Sequence, residues 1–164
     1  MRLEAAVDRA LGGLLAGLMG LAVVNVTWQV VARYGLASPS SFTDELSRFV
    51  LIWIGLLGMA RGVGQHLHLA MDFAAQRLHG RRREWLGIAV EAVVAGFAGV
   101  VLVGGGGRLV WVTWQLEQQS AALGAPLAAI YVALPLAGVL ILFYTTGFVR
   151  VRLARLRRAG REVV

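Results

Sequence analysis

Four long apolar runs dominate the pattern of this chain, at residues 11–32, 42–63, 85–107 and 127–149. Each matches the roughly 20 residues that an α-helix needs to cross a hydrocarbon core. Short polar and basic stretches separate them. The pattern therefore predicts an all-α integral membrane protein with four transmembrane helices. An element of different pattern lies between the second and third runs, over residues 66–79. On a helical wheel Leu67, Ala70, Met71, Ala74 and Leu78 share one face, and His68, Asp72, Gln76 and His79 share the other. It is too short to span, and Gly80 and three arginines follow it. It reads as an amphipathic interfacial helix, apolar face down among the membrane lipids; a solvent-exposed loop helix is the rival reading.

Composition sharpens this picture. The chain has 164 residues, 58% of them hydrophobic, and a mean hydropathy of +0.70, far too apolar to be covered by a polar surface in water. The expected organisation is a single four-helix membrane domain over residues 1–164, with a basic tail at 150–164. Cysteine is absent, which removes disulfides, thiolate metal sites and thiol catalysis together. The net charge of +7 could suggest nucleic acid. The arginines instead cluster at helix ends and are not interleaved with stacking aromatics, so a nucleic-acid partner is not expected.

Charge also sets the orientation. Arg2 and Arg9 precede the first run; Arg61, Arg77, Arg81, Arg82 and Arg83 lie between the second and third; Arg150, Arg152, Arg155, Arg157, Arg158 and Arg161 follow the fourth. Against these thirteen, only Arg33, Arg48 and Arg108 fall at the other ends. The positive-inside rule then predicts that both termini face the cytoplasm, in a bacterial or archaeal inner membrane. The first run is too long for a signal peptide, and no small-residue cleavage site follows it. Trp28, Tyr34, Trp111 and Trp114 suit an outer aromatic belt, and Trp85 an inner one.

Candidate chemistry gathers near the ends of the spans. Ser41-x-x-Asp44 has the form of a capping box, which would put Asp44 and Glu45 in the first turn of the second helix, at the positive end of its dipole. Asp44 and Arg48 are four apart in the favourable order for an ion pair. Cap, dipole and pair explain this cluster structurally; a polar docking patch for another membrane subunit is the functional reading, and the two are compatible. Asn25, Gln29 and Arg33 recur every fourth residue and form one polar stripe on the outer half of the first helix. Amides in lipid seek partners on other helices, so the stripe is a helix-contact face, with an ion pathway as the rival. Glu91 is the deepest acid, about 9 Å beyond Trp85 by the helical rise. Local pairing or snorkelling competes there with proton or ion coupling. The third span can run on past Gly107 as a tilted helix through Trp111 and Trp114; Gly104–Gly107 argues against regular helix there and for a bend or a close backbone contact, each glycine costing about 1 kcal/mol of propensity relative to alanine. Pro126 suits the first turn of the last helix, and Pro135 should kink it. His66 and His68 are wrongly spaced for a metal pair on a helix. No nucleophile–base pair, phosphate loop or metal cluster is spaced along the chain, so no enzyme activity and no cofactor are expected.

These residues resemble a known family. Arg33-Tyr34, Asp44-Glu45-Leu46-Ser47-Arg48, Trp53, Gly58, Arg61-Gly62 and His66-Leu67 are similar to the small, DctQ-like membrane subunit of tripartite ATP-independent periplasmic (TRAP) transporters. The likeness runs on through Gln118-Gln119-Ser120-Ala121-Ala122-Leu123 to Tyr131 and Pro135. The chain departs from the family pattern at Phe42, where tryptophan is usual in the region before the acidic pair. It departs again at Ala70, where an acid is usual and Asp72 stands two residues on. The resemblance implies a small accessory subunit without a substrate or ion site of its own. It would bind and help anchor the large, sodium-coupled, elevator-type membrane subunit, and a periplasmic substrate-binding protein would deliver an organic acid. Asn25, Gln29, Arg33, Tyr34, Asp44, Glu45, Arg48, Trp53, Gly58 and Arg61 are then the candidate partner contacts. The alternative function is an autonomous, homo-oligomeric small transporter or channel that uses Glu91.

Overall fold

A computed structural model describes residues 2–35, 41–65 and 81–159. Among these residues the chain is helical, with no strand beyond one isolated bridge between Gln119 and Pro126. Four helical stretches are long and apolar enough to cross a membrane: Ala5–Gly35, Ser41–Gly64, Glu84–Gln115 and Leu127–Ala154. The chain is thus an all-α, multi-pass membrane protein. The expected interfacial helix, with Leu67, Met71, Ala74 and Leu78, lies outside the described residues, as does His66.

Helix α1 is Arg2–Gly35 and α2 is Ser41–Gly64. At 34 residues α1 is about 51 Å long, well beyond a ~30 Å hydrocarbon core, so it must tilt or project into the headgroups. The third span is one continuous rod in three parts: α3 (Arg81–Phe97), a π-helical segment (Ala98–Gly105) and α4 (Gly106–Gln115). The fourth begins with the single turn α5 (Leu127–Tyr131) and continues as α6 (Ala133–Ala159).

The spans stand in a row. Helix α1 packs on α2, α2 on α6, and α6 on α3 and the π segment. Apolar burial offers little drive between helices in lipid, so association depends on close packing and hydrogen bonds. The core reflects this. Ala60 and Val63 of α2, Ala98 and Leu102 of the π segment, and Ala137, Ile141 and Tyr144 of α6 are buried together. The three alanines are fully buried at the contacts, where a larger side chain would hold the helices apart.

Proline and glycine shape the α6 contact. Pro135 has no N–H to give to the carbonyl of Tyr131, and its ring crowds that carbonyl. The helix breaks there, between α5 and α6 at Val132. Facing it, the glycine-rich part of the third span does not unwind. It widens into the π segment, the i→i+5 form that inserts an extra residue into a helix. A Cβ at Gly106 would meet Leu134 Cβ at 2.8 Å, and one at Gly138 would meet Leu102 Cβ at 2.8 Å and the Ala98 carbonyl oxygen at 3.1 Å. These two glycines, on facing helices, permit the close approach that glycine at 104–107 suggests in the sequence. Gly138→Leu and Gly106→Leu are therefore expected to overpack the contact and cost about 1–3 kcal/mol each. Gly13→Leu, where nothing stands within 4 Å of an added Cβ, should be neutral. Thermal unfolding of the three variants in one detergent distinguishes them; equal melting temperatures would refute the close-contact account.

Candidate functional site

The polar residues of the spans collect at the two ends of the row. At the end carrying the 36–40 and 116–126 connections, called the loop end, the stripe on α1 faces α2. Asn25 is buried and its Nδ2 donates to the Thr43 carbonyl at 2.8 Å and to Ser47 Oγ at 2.8 Å. One turn on, Gln29 Nε2 donates to Asp44 Oδ1. The four-residue spacing that marks Asn25 and Gln29 as a contact face is thus used against a helix of the same chain. Arg33 and Tyr34 continue past this contact and are exposed at the end of α1.

Glu45 points elsewhere. Its Oε2 accepts from the Ala122 backbone N–H at 2.8 Å and from that of Leu123 at 3.1 Å, across 77 and 78 residues of sequence. The turn it holds is compact. Ser120 N–H donates to the Ala125 carbonyl at 2.9 Å, Gly124 N–H to the Ser120 carbonyl at 3.0 Å, and Leu127 N–H to the Gln118 carbonyl at 2.9 Å. Gly124 has φ +62°, a left-handed conformation that costs glycine nothing. Glu117 takes φ +48° at the exit of α4, where a side chain ordinarily resists it, and so reverses the chain into the turn. A carboxylate collecting convergent backbone amides is a strong, charge-assisted anchor. The two sequence blocks that carry the family likeness, around Glu45 and around Ser120, therefore meet in space. Arg48 is exposed and forms no ion pair with Asp44, whose hydrogen-bond donor is Gln29 instead. Beside the turn lies an open hollow of about 250 Å³, lined by Thr113, Trp114, Glu117, Gln118, Gln119, Pro126 and Ala128.

The opposite end, at the chain termini, is tied by ion pairs. Arg61 Nε meets Asp8 Oδ1 at 3.0 Å, and Gln65 Nε2 donates to the same oxygen at 3.3 Å. The Arg61 guanidinium lies over Gly12, where a Cβ would come within 2.9 Å of it. Arg152 Nη1 meets Glu84 Oε2 at 3.4 Å, and its guanidinium crosses Gly87 of α3. Asp8 and Glu84 were not singled out in the sequence. The only signal for them is an acid inside an arginine-rich helix end, and their partners are 53 and 68 residues away.

Glu91 is buried, only 1% exposed. With Thr145, Thr146 and Arg150 it lines a cleft of about 240 Å³ between α3 and α6. Thr145 is buried too, its hydroxyl returned to its own helix at the Ile141 carbonyl, 2.9 Å away. Trp53 and Gly58 are half-buried on α2, with open space around Gly58. The candidate residues therefore divide into two end clusters and one deep acid, and they do not converge on a single point.

Comparison with known proteins gives the family. The model of the family "Tripartite ATP-independent periplasmic transporters, DctQ component" matches residues 22–155. A protein of Haemophilus influenzae, provisionally named a TRAP transporter small permease protein, is 26% identical over 137 residues, covering 82% of this chain and 82% of its own length. The sialic acid TRAP transporter small permease protein SiaQ of Vibrio cholerae is 27% identical over 131 residues, covering 77% and 71%. The family match takes in α2, its Glu45 anchor, the turn it holds and most of α6, and the chain belongs to the DctQ component family of TRAP transporters.

Proposed function

We propose that this chain is the fixed accessory subunit of a sodium-coupled TRAP transporter for an organic acid. It binds and anchors the large membrane subunit, and its loop end helps dock the periplasmic substrate-binding protein. Membership of the family supports a tripartite assembly. The observation that carries the scaffold role is the cross-tying of the row at both ends, by Glu45 to the 120–123 turn and by Asp8 and Glu84 to arginines. Such ties hold the loop end firmly and the termini end more loosely, as suits a subunit that presents a fixed outer surface while another moves. A relative named for sialic acid, itself an organic acid, supports that class of substrate. The thirteen arginines of the termini end and the second connection support cytoplasmic termini, with the loop end then facing the periplasm.

Exchange of both Asp44 and Glu45 for alanine should free the 120–123 turn and loosen α1 from α2. Uptake by the assembled transporter should fall several-fold, with faster amide hydrogen exchange at residues 120–124. Unchanged complex yield together with unchanged uptake would sink the docking role. The native chain lacks cysteine, so single cysteines report topology cleanly. A cysteine at Gln119 should react with impermeant reagents from the periplasmic side and one at Val164 only after the membrane is opened; charge reversal of Arg81, Arg82 and Arg83 should disturb this pattern. The burial of Glu91 beside a cleft keeps the autonomous-transporter reading as the competitor. Liposomes holding this chain alone should show no uptake, whether residue 91 is Glu or Gln. Uptake by the lone chain that disappears in Glu91→Gln would favour the competitor.

A further inference from the structure

A second feature of the loop end is independent of the scaffold reading. Between α2 and the α4–α6 side lies a wide, open apolar slot of about 470 Å³ on the helix surface. Leu51, Ile52 and Gly55 form one bank, Leu109 the other, with Tyr131 and Leu134 between them. The slot lies within the spanning segments, and walls of this kind exclude water. Two cations stand beside it. Arg48 lies on the same face of α2 as Ile52 and Gly55, one turn nearer the loop end, and Arg108 precedes Leu109 on α4. Each is seven residues inside its helix end, about 10 Å along the axis, so the two sit at matching depth on antiparallel helices. Both are exposed, and among the described residues neither makes an ion pair or a side-chain hydrogen bond.

Charge at that depth is costly unless it reaches a counter-ion, and arginine side chains snorkel toward headgroups to find one. We propose that this slot binds one phospholipid of the leaflet at the loop end. An acyl chain lies along Leu51, Ile52, Gly55 and Leu109, and Arg48 and Arg108 hold the phosphodiester above it. A phospholipid offers the required order, anion at the headgroup level and hydrocarbon directly beneath. A helix of the large subunit would instead have to carry a carboxylate into the membrane to satisfy the same two arginines. Guanidinium is the better donor for a phosphodiester, which it can grip through two N–H groups.

The test is native mass spectrometry of the chain through a delipidation series, both alone and co-purified with the large subunit, with phosphatidylglycerol and phosphatidylethanolamine added back. The wild-type chain should retain one phospholipid in both preparations. Gly55→Phe should lose it by filling the slot; nothing stands within 4 Å of a Cβ added at Gly55, so the fold tolerates the change. Arg48→Gln with Arg108→Gln should weaken retention about tenfold or more, the loss expected for removing charge-assisted contacts. Gly13→Phe on α1 should retain lipid as wild type does. Retention unaffected by both Gly55→Phe and the double arginine variant would overturn the proposal. So would disulfide capture of a cysteine at Leu51 by the large subunit while Gly55→Phe disrupts the complex and leaves lipid retention intact, which assigns the slot to a protein helix. Because the lone chain is measured as well, failure of the scaffold reading leaves this outcome readable.

Discussion

Lipid removes the usual reason for helices to associate, because a leucine gains little by leaving hydrocarbon for another leucine. What remains is contact close enough for dispersion to count, and hydrogen bonds that have no water to compete with them. Each structural feature of this chain answers to that constraint. Where α2, α6 and the third span meet, the contact residues are alanine and glycine, and the helices come near enough to touch along their backbones. Where α1 meets α2, the contact is made by amide side chains, Asn25 and Gln29, reaching a carbonyl, a hydroxyl and a carboxylate. The wide outer faces, with Val23, Val24, Val93 and Val100 all strongly exposed, are apolar and so suit lipid or another membrane helix.

Much of this was legible in the sequence, for physical reasons that can be named. Spans are legible because a helix in hydrocarbon must be apolar along its whole length, so residues 11–32 and 42–63 declare themselves. The Asn25–Gln29 stripe is legible because amides in lipid need partners and a period of four puts them on one face. The third span reads less well. Its apolar run ends near residue 107 in the sequence, and two readings stand there: the helix runs on through Trp111 and Trp114, as it does to Gln115, or the glycines bend it, which π-helical hydrogen bonding avoids. Proline is the plainer case: Pro135 is expected to disturb the last helix, and the helix is interrupted at Val132, beside the Tyr131 carbonyl that its missing N–H leaves unbonded.

The candidate site shows where sequence reading stops. Glu45 is visible as a first-turn acid, and the dipole alone explains an acid there. Nothing in local spacing says that its carboxylate leaves its own helix to collect amides 77 residues away. Asp44, its neighbour, turns the other way to Gln29, so two adjacent acids of the same apparent role serve different joints. The ion pair expected between Asp44 and Arg48 is absent: Asp44 turns to Gln29 of α1, and Arg48 is exposed. Asp8 and Glu84 fall under the same rule: each is unremarkable beside its own neighbours and acquires a role only when a distant helix brings an arginine to it.

The two ends of the row are consequently held by different means, and the difference bears on what each can do. At the termini end the ties are between side chains, with Arg61 and Asp8 33% and 37% exposed and Arg152 and Glu84 21% and 20%. The more exposed pair, Arg61–Asp8, is screened by salt and worth about 0–1 kcal/mol, and side-chain ties of both kinds can re-form by rotamer changes. At the loop end the acceptor is one carboxylate and the donors are backbone amides of a turn already closed by its own hydrogen bonds. Backbone donors cannot rotate away or titrate, so the turn and the start of α2 move as one body. A frame that is stiff at one end and yielding at the other can present a fixed surface outward while its other end follows small displacements of whatever it is anchored to.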